Sequence, residues 1–373
     1  WAELRVWVTL PHHEGPIFRS RLNLLRGNTR RDAGKELETR FSAFGFEWQA
    51  MIEESTAWVV DSMREGEPEI ILTDAIEPQQ GDWLLPPIIL GRHPTIWFGD
   101  GGSGKSYLAL AAAATISSGH GLLDIEPSVT LPVAYLDWEF DAWEHRQRLE
   151  RLMAGDPAKI VYIPCSAPLS EQTDRLRRIF RKHKIGFAVF DSVGAACGGE
   201  PEAADVALGF FGALRRLEIG SLLIAHTTKN GSDERPFGSA YWHNMARCTW
   251  LVKRERDAAG NSLNIALFNK KANSAALSQP IGFDVTFGSY STVFSRSEVA
   301  DNAELAKGMP LAQRIAQAVR SEPKTYHELA EELDTTPESV RGTVKRQKGR
   351  FTLITRMSDR VSAVALAAFR ETA

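Results

Sequence analysis

Gly99 to Ser106 reads Gly-Asp-Gly-Gly-Ser-Gly-Lys-Ser, between an apolar run, TIWF, and an Ala-rich helical segment. Strand, glycine-rich turn and helix together bring backbone N–H groups around a phosphate at a helix N-terminus. The chain is thereby committed to an α/β fold with a phosphate site at a strand's carboxyl end. Two signatures fit the same letters. Gly99, Gly101 and Gly104 satisfy the dinucleotide fingerprint G-x-G-x-x-G, and the whole stretch satisfies the P-loop G-x-x-x-x-G-K-[ST]. Only the P-loop needs a lysine for the β and γ phosphates and a hydroxyl for Mg²⁺. The dinucleotide site wants an acid about 20 positions on, closing the next strand. Asp124 has that spacing but sits in a turn, GLLDIEPS, and the next strand, PVAYLD, ends only at Asp137. Gly99, Gly101, Gly102, Ser103, Gly104, Lys105, Ser106 and Tyr107 are therefore the expected ATP-binding residues, with Ser106 a Mg²⁺ ligand.

A chain of 373 residues has room for two or three domains. From residue 86 to 294 short apolar runs alternate with amphipathic stretches. TIWF, VAYLD, IVYIP, GFAVFD and GSLLIAH read as strands of a parallel sheet. CTWLVKRE, LNIALFNK, GFDVTF and YSTVF follow so closely on one another that they read as an antiparallel extension. Residues 1–85 read as a charged helical region in which Arg19, Arg21, Arg26, Arg30 and Arg31 form either a solvated helix face or a binding patch. Residues 295–308 read as a polar linker to a small domain, 309–373.

The formal net charge of −3 provides no global pull toward nucleic acid, so any such contact must come from local patches. No apolar run is long enough to span a membrane. Cys165, Cys197 and Cys248 lie far apart, which argues against a zinc site and for a reducing cytoplasm. The opening, WAELRVWVTL, has neither an initiator Met nor a signal-peptide layout, as expected of a chain missing its beginning.

A P-loop enzyme needs a second metal anchor, usually a carboxylate ending a later strand. FAVFDS supplies Asp191. A hydrolase also needs a group to orient or deprotonate water. Glu139 in YLDWEF stands just past a strand tip where it can face the γ-phosphate, the alternative being a surface or helix-capping acid. His226 in LLIAHTTK follows the fifth strand, where it is either a phosphate sensor or a structural histidine.

Taken together, the P-loop, YLDWEFDAWEHRQRLERL, VFDS, AHTTK, GSAYWHNMARCTW and NKKAN resemble the RecA-like hexameric helicases of the plasmid RepA type and the AAA-annotated RecA-fold ATPases around them, over roughly residues 80–290. The resemblance implies Glu139 as catalytic base and His226 as γ-phosphate sensor. It also implies Arg247 as an arginine finger reaching the adjacent subunit's ATP and Lys271 as a second cationic contact across that interface. In such helicases the loop KNGSDERPFGSAYWHN lines a central channel. Lys229 and Arg235 are its candidate DNA contacts, although Asp233 and Glu234 beside them weaken the case for strong strand binding.

The C-terminal segment reads as a winged helix. Its helices are PLAQRIAQAVRSE, TYHELAEELDT capped by Thr325, and TPESVRGTVKRQKGR opened by Thr336 and Pro337; FTLITR and VSAVAL make a hairpin around MSD. Arg341, Lys345, Arg346 and Lys348 in the third helix fit a DNA-recognition helix, the alternative being a protein contact. The sequence thus predicts a RecA-like P-loop core with ATP and Mg²⁺, acting on DNA as a ring helicase of plasmid, phage or mobile-element type. Single-stranded DNA would lie in the channel of a homo-hexamer and duplex at the winged helix. The alternatives are an ATP-switched DNA-binding regulator or a defence-system ATPase.

Overall fold

The computed structural model describes residues 2–7, 16–65, 69–74, 81–139, 141–153, 158–227, 235–256, 262–273, 275–356 and 360–367. These fall in two compact units, Trp1–Glu77 and Pro78–Ala373. The first is not helical throughout. Strands β1 (Ala2–Val6) and β2 (Phe18–Leu22) form an antiparallel pair, followed by helices α1 (Gly27–Phe41) and α2 (Trp48–Glu65). Alternation explains the correction: Phe18 and Leu22 of β2 are buried, while Arg19 and Arg21 between them are exposed, a period of two. The arginine cluster is therefore not one helix face. Arg19 and Arg21 lie on a strand, Arg31 on α1 is exposed, and Arg30 pairs with Glu53 at 2.8 Å. Phe18, Leu22, Leu37, Trp48 and Ile52 make this unit's own core.

The second unit opens with a short hairpin, β3 (Trp83–Leu85) and β4 (Ile89–Leu90), whose leucines and isoleucine are buried in its core. Trp83–Leu85 thus belong here rather than to the N-terminal region. A β/α alternation follows: β5 (Pro94–Gly99), α3 (Lys105–Ser118), β6 (Val133–Asp137), α4 (Ala142–Met153), β7 (Ile160–Pro164) and α5 (Leu169–His183). It continues through β8 (Phe187–Asp191), α6 (Val193–Ala196), α7 (Ala204–Arg215), β9 (Gly220–His226) and α8 (Ala240–Met245) to β10 (Cys248–Arg256), β11 (Ser262–Ala272), β12 (Ile281–Phe287) and β13 (Thr292–Ser297).

All these strands from β5 onward form one sheet in the order β13-β12-β11-β10-β5-β9-β8-β6-β7. From β10 to β7 neighbours run parallel, and from β10 outward to β13 they run antiparallel. The sequence placed β10 wholly in the antiparallel extension. It instead pairs with β5 in parallel, because the chain returns through α8 before entering it.

Both faces of the sheet are buried, as parallel strands require. Trp97, Tyr135, Val189, Ile224 and Trp250 face α3, whereas Ile96, Phe98, Leu136, Phe190 and Leu251 face α5 and α7. The segment expected to be a linker is folded onto this second face. Val299 and Leu305, the latter in α9 (Ala303–Ala306), are both 4% exposed within that core.

The last residues form α10 (Leu311–Ala318), α11 (Tyr326–Glu332), α12 (Pro337–Arg346) and an antiparallel pair, β14 (Phe351–Thr355) and β15 (Ser362–Leu366), around a core of Ile315, Leu329, Val340, Val344 and Phe351. Thr325 closes a capping box with Glu328, and Thr336 caps α12 ahead of Pro337. α12 ends at Arg346, so Lys348 lies in the turn beyond it rather than on the helix. The MSD stretch between β14 and β15 is outside the described residues. Among the described residues no helix is long and apolar enough to cross a membrane.

Candidate nucleotide site

Four strand ends make the site. Because β9 lies between β5 and β8, and β6 beyond β8, the carboxyl edge presents the P-loop, His226, Asp191 and Asp137 in a row. Register fixes this: Gly99 stands opposite His226, and Asp137 opposite Asp191. The P-loop requires glycine for steric reasons. Gly104 has φ +84°, and a Cβ there would lie 2.9 Å from Ile265 Cδ1; at Gly99 a Cβ would lie 2.3 Å from the Val252 carbonyl oxygen. α3 starts at Lys105, and its apolar body, Leu108 to Ile116, is buried under the sheet, so its N-terminus is held at the loop.

Lys105 is 6% exposed. Its ammonium donates to the carbonyls of Gly99 at 2.9 Å and Asp100 at 2.7 Å and to Ser103 Oγ at 3.2 Å. Burial pulls its pKa down to about 8, partly opposed by Asp191, Asp100 and Glu139. Asp191 is 2% exposed and accepts hydrogen bonds from Tyr135 Oη at 2.7 Å and from the Ser106 hydroxyl. Burial raises its carboxyl above the usual range, with those hydrogen bonds opposing the rise.

Ser106 and Asp191 are thus adjacent oxygen donors beside Lys105. Among the described residues no group of three His, Cys, Asp or Glu side chains could cage a metal. Two protein oxygens suit Mg²⁺, which takes the rest of its octahedron from phosphate and water.

Glu139 lies at the pocket wall, its Oε1 accepting the Ser192 hydroxyl at 2.5 Å and its backbone N–H donating to Asp137 Oδ1 at 2.8 Å. Asp137 Oδ2 is engaged by His145 at 2.7 Å and Tyr162 Oη at 3.2 Å. Asp137 is 2% exposed and faces this network, so Glu139 is the carboxylate free to meet a water in the pocket. His226 is exposed and lines the same pocket. Its carbonyl accepts the Phe237 N–H at 2.7 Å, and Thr227 bridges Pro236, so the loop that follows leaves and returns at His226. Lys229, Asp233 and Glu234 of that loop lie outside the described residues, while Arg235 is exposed at its end.

Arg247 and Lys271 do not join this cluster. The Arg247 N–H donates to the Pro94 carbonyl at 3.1 Å, at the start of β5 rather than its end. Five residues at about 3.3 Å per residue put it roughly 17 Å from Gly99. Lys271 stands beside it, donating to the His243 and Asn244 carbonyls at 2.8 Å each, with its pKa lowered by burial and by Arg247. Arg92, His93 and Arg247 line a cavity of about 1060 Å³ at this edge, and the His93 pKa is lowered by burial and then by Arg247 and Arg92.

Several pocket residues escaped the sequence. Ser192 carries no signal beyond following Asp191; Tyr135 reads as a core aromatic, and it is buried, bearing on the site through its hydrogen bond to Asp191. Arg148 and Arg151 of α4, Arg254 of β10 and Phe287 of β12 come from elements far apart in the chain, yet all line the pocket. The Tyr107 ring lies 6.0 Å from that of Phe287, and the Arg148 guanidinium 5.8 Å from the Tyr107 centroid.

On α12, Arg341, Lys345 and Arg346 are exposed, as is Lys348 beyond it, while Val340, Thr343 and Val344 face inward.

A parallel sheet carrying a P-loop, with one strand between the P-loop strand and the Asp191 strand and an antiparallel extension on the other side, has the architecture of a RecA-like P-loop core. Residues 64–232 match a family model described as an AAA domain; Arg247, Lys271 and the C-terminal helices lie beyond the matched span. No curated protein matches the chain. Among solved structures, a KaiC-like protein from the hyperthermophilic archaeon Pyrococcus horikoshii is similar over 59% of this chain and 100% of its own, at 12% identity and a TM-score of 0.43.

Proposed function

We propose that the chain is an ATP-driven ring motor acting on DNA, a helicase of the plasmid RepA type working as a homo-hexamer. The placement of Arg247 and Lys271 carries this reading. Two cations to which the family resemblance gives roles across a subunit interface stand near the start of β5, away from their own P-loop, which supports their serving a nucleotide held by another copy. Within one chain Lys105 grips the β and γ phosphates, and Ser106 and Asp191 would hold Mg²⁺, which neutralises phosphate oxygens when bound. Glu139, steadied by Ser192, takes a proton from the attacking water as its oxygen bonds to the γ-phosphorus and the bond to the β-phosphate oxygen breaks. Arg247 and Lys271 of the partner subunit offset charge on the transferring group, a contribution of about 10³ to 10⁵ in rate for a finger of this kind. His226 touches the γ-phosphate and moves the loop anchored on its own main chain.

The order helix, helix, helix, hairpin after Pro310, with exposed cations on α12, supports a winged helix that meets duplex DNA. Those cations, and the acids Asp233 and Glu234 in the channel loop, favour a second reading: a regulator that uses ATP to control assembly on duplex DNA. Turnover measured with and without single-stranded DNA, together with particle mass in solution, separates the two. A motor gives a particle several times the mass of one chain whose turnover rises with single-stranded DNA. A regulator binds duplex without that stimulation.

A further inference from the structure

Two arginines lie far apart along β10 and its approach. Arg247 precedes it at the edge where β5 begins; Arg254 stands seven residues on, about 23 Å away at strand rise. Period two along β10 puts Trp250 and Val252 on the face that α3 covers, and Arg254 continues that row to the level of the P-loop. A Cβ added at Gly102 would lie 3.3 Å from Arg254 Nη2. The guanidinium therefore rests against the P-loop backbone while remaining exposed, and it lines the pocket that holds Lys105, Glu139 and Asp191. Among the described residues it has no hydrogen-bond or ion-pair partner. An exposed guanidinium beside the buried Lys105 ammonium makes a doubly cationic wall to the pocket, into which a polyphosphate fits.

We propose that Arg254 binds the polyphosphate of the nucleotide in its own subunit, a cis cation added to Lys105, so that β10 touches its own nucleotide at one end and, through Arg247, a neighbour's at the other. The trans half rests on the ring reading above; the cis half does not. A planar fork suits bidentate contact with phosphate oxygens, and its exposure allows it to close on the ligand without breaking an existing bond.

Binding of fluorescent ATP, ADP and AMP analogues to wild type, Arg254→Ala and Arg254→Lys is the first test, with thermal melting of the nucleotide-free proteins as the fold control. ATP should bind roughly tenfold more weakly to Arg254→Ala, with a smaller loss for AMP and partial recovery in Arg254→Lys. Wild-type ATP affinity in Arg254→Ala, or an equal loss for all three nucleotides, would overturn the proposal.

Mixing then separates cis from trans. At ATP concentrations that saturate wild type but not Arg254→Ala, Arg254→Ala mixed with Arg247→Ala should turn over faster than either alone, because one chain offers an intact pocket and the other an intact finger, whereas Arg254→Ala mixed with Lys105→Ala should gain nothing over Arg254→Ala alone. Recovery in the second mixture would show that Arg254 acts across subunits. If Lys105→Ala with Arg247→Ala also fails to recover, the ring reading fails, and the nucleotide-binding comparison still decides the role of Arg254.

Discussion

Nucleotide binding should carry a proton with it. In the nucleotide-free site Lys105 has its pKa pushed down to about 8 by removal from water, against the opposing pull of Asp191, Asp100 and Glu139. A polyphosphate laid beside it favours the charged form and returns the pKa toward 10.5 or higher. The uptake follows from those two values: under about 0.1 proton per site at pH 7, about 0.5 at pH 8 and close to 0.9 at pH 9. Above pH 8 the affinity should fall by about tenfold per pH unit until the bound-state pKa is reached. The sign for stability is the reverse of that for binding. Between pH 8 and 10.5 the unfolded chain holds the proton that the folded chain has lost, so this group makes the nucleotide-free protein more stable as pH rises through that window. The penalty relieved is on the order of 3 kcal/mol for a shift of this size. Calorimetric titration with a non-hydrolysable ATP analogue at pH 7, 8 and 9, in buffers of different ionisation enthalpy, measures the uptake directly. A site that takes up no proton at pH 8 and 9 would refute the account of Lys105 as a buried, partly neutral cation awaiting phosphate.

Glu139→Gln should bind ATP with near wild-type affinity and hydrolyse it at least about 10²-fold more slowly, as single-turnover assays would show; normal turnover would move the base elsewhere. Ser192→Ala removes the hydroxyl that holds Glu139 and should lower kcat about tenfold, the worth of one charge-assisted hydrogen bond, with little change in KM. Replacing both Arg341 and Lys345 with Ala should reduce the slope of duplex-DNA affinity against salt by about 2, measured by fluorescence anisotropy; an unchanged slope would favour a protein contact for α12. Leu305→Ala should cost about 2–5 kcal/mol in chemical denaturation, because Leu305 is packed against the sheet rather than part of a free linker.

The parts of the fold visible in the sequence are those governed by short-range patterns. GFAVFD and VAYLD announce themselves as buried strands ending in acids, and Lys105 and Ser106 identify the loop because no other motif needs both. What stayed hidden depends on pairing between distant segments. The closeness of CTWLVKRE to LNIALFNK suggested a hairpin, and they do pair antiparallel, but nothing local says that the other edge of β10 meets β5. That pairing is what puts Arg247 at the foot of the P-loop strand and Arg254 over the P-loop. The β1–β2 pair was obscured by five arginines within thirteen residues, whose charge masked the Phe18 and Leu22 alternation. Val299 and Leu305 are two apolar residues in a polar stretch, too few to show a periodicity, yet the sheet's second face buries both.

The central claim is that the active site is shared between copies, and mixing two inactive proteins tests it most directly. Lys105→Ala lacks the cation for its own nucleotide and keeps Arg247; Arg247→Ala keeps the P-loop and lacks the finger. ATPase activity is measured for each alone and for their mixture over a range of total protein concentration. The account predicts little activity in either alone, partial recovery in the mixture, and recovery that increases with concentration as mixed interfaces form. A mixture that stays inactive while the wild type turns over as a monomer would contradict it and leave Arg247 as a structural residue at the foot of β10.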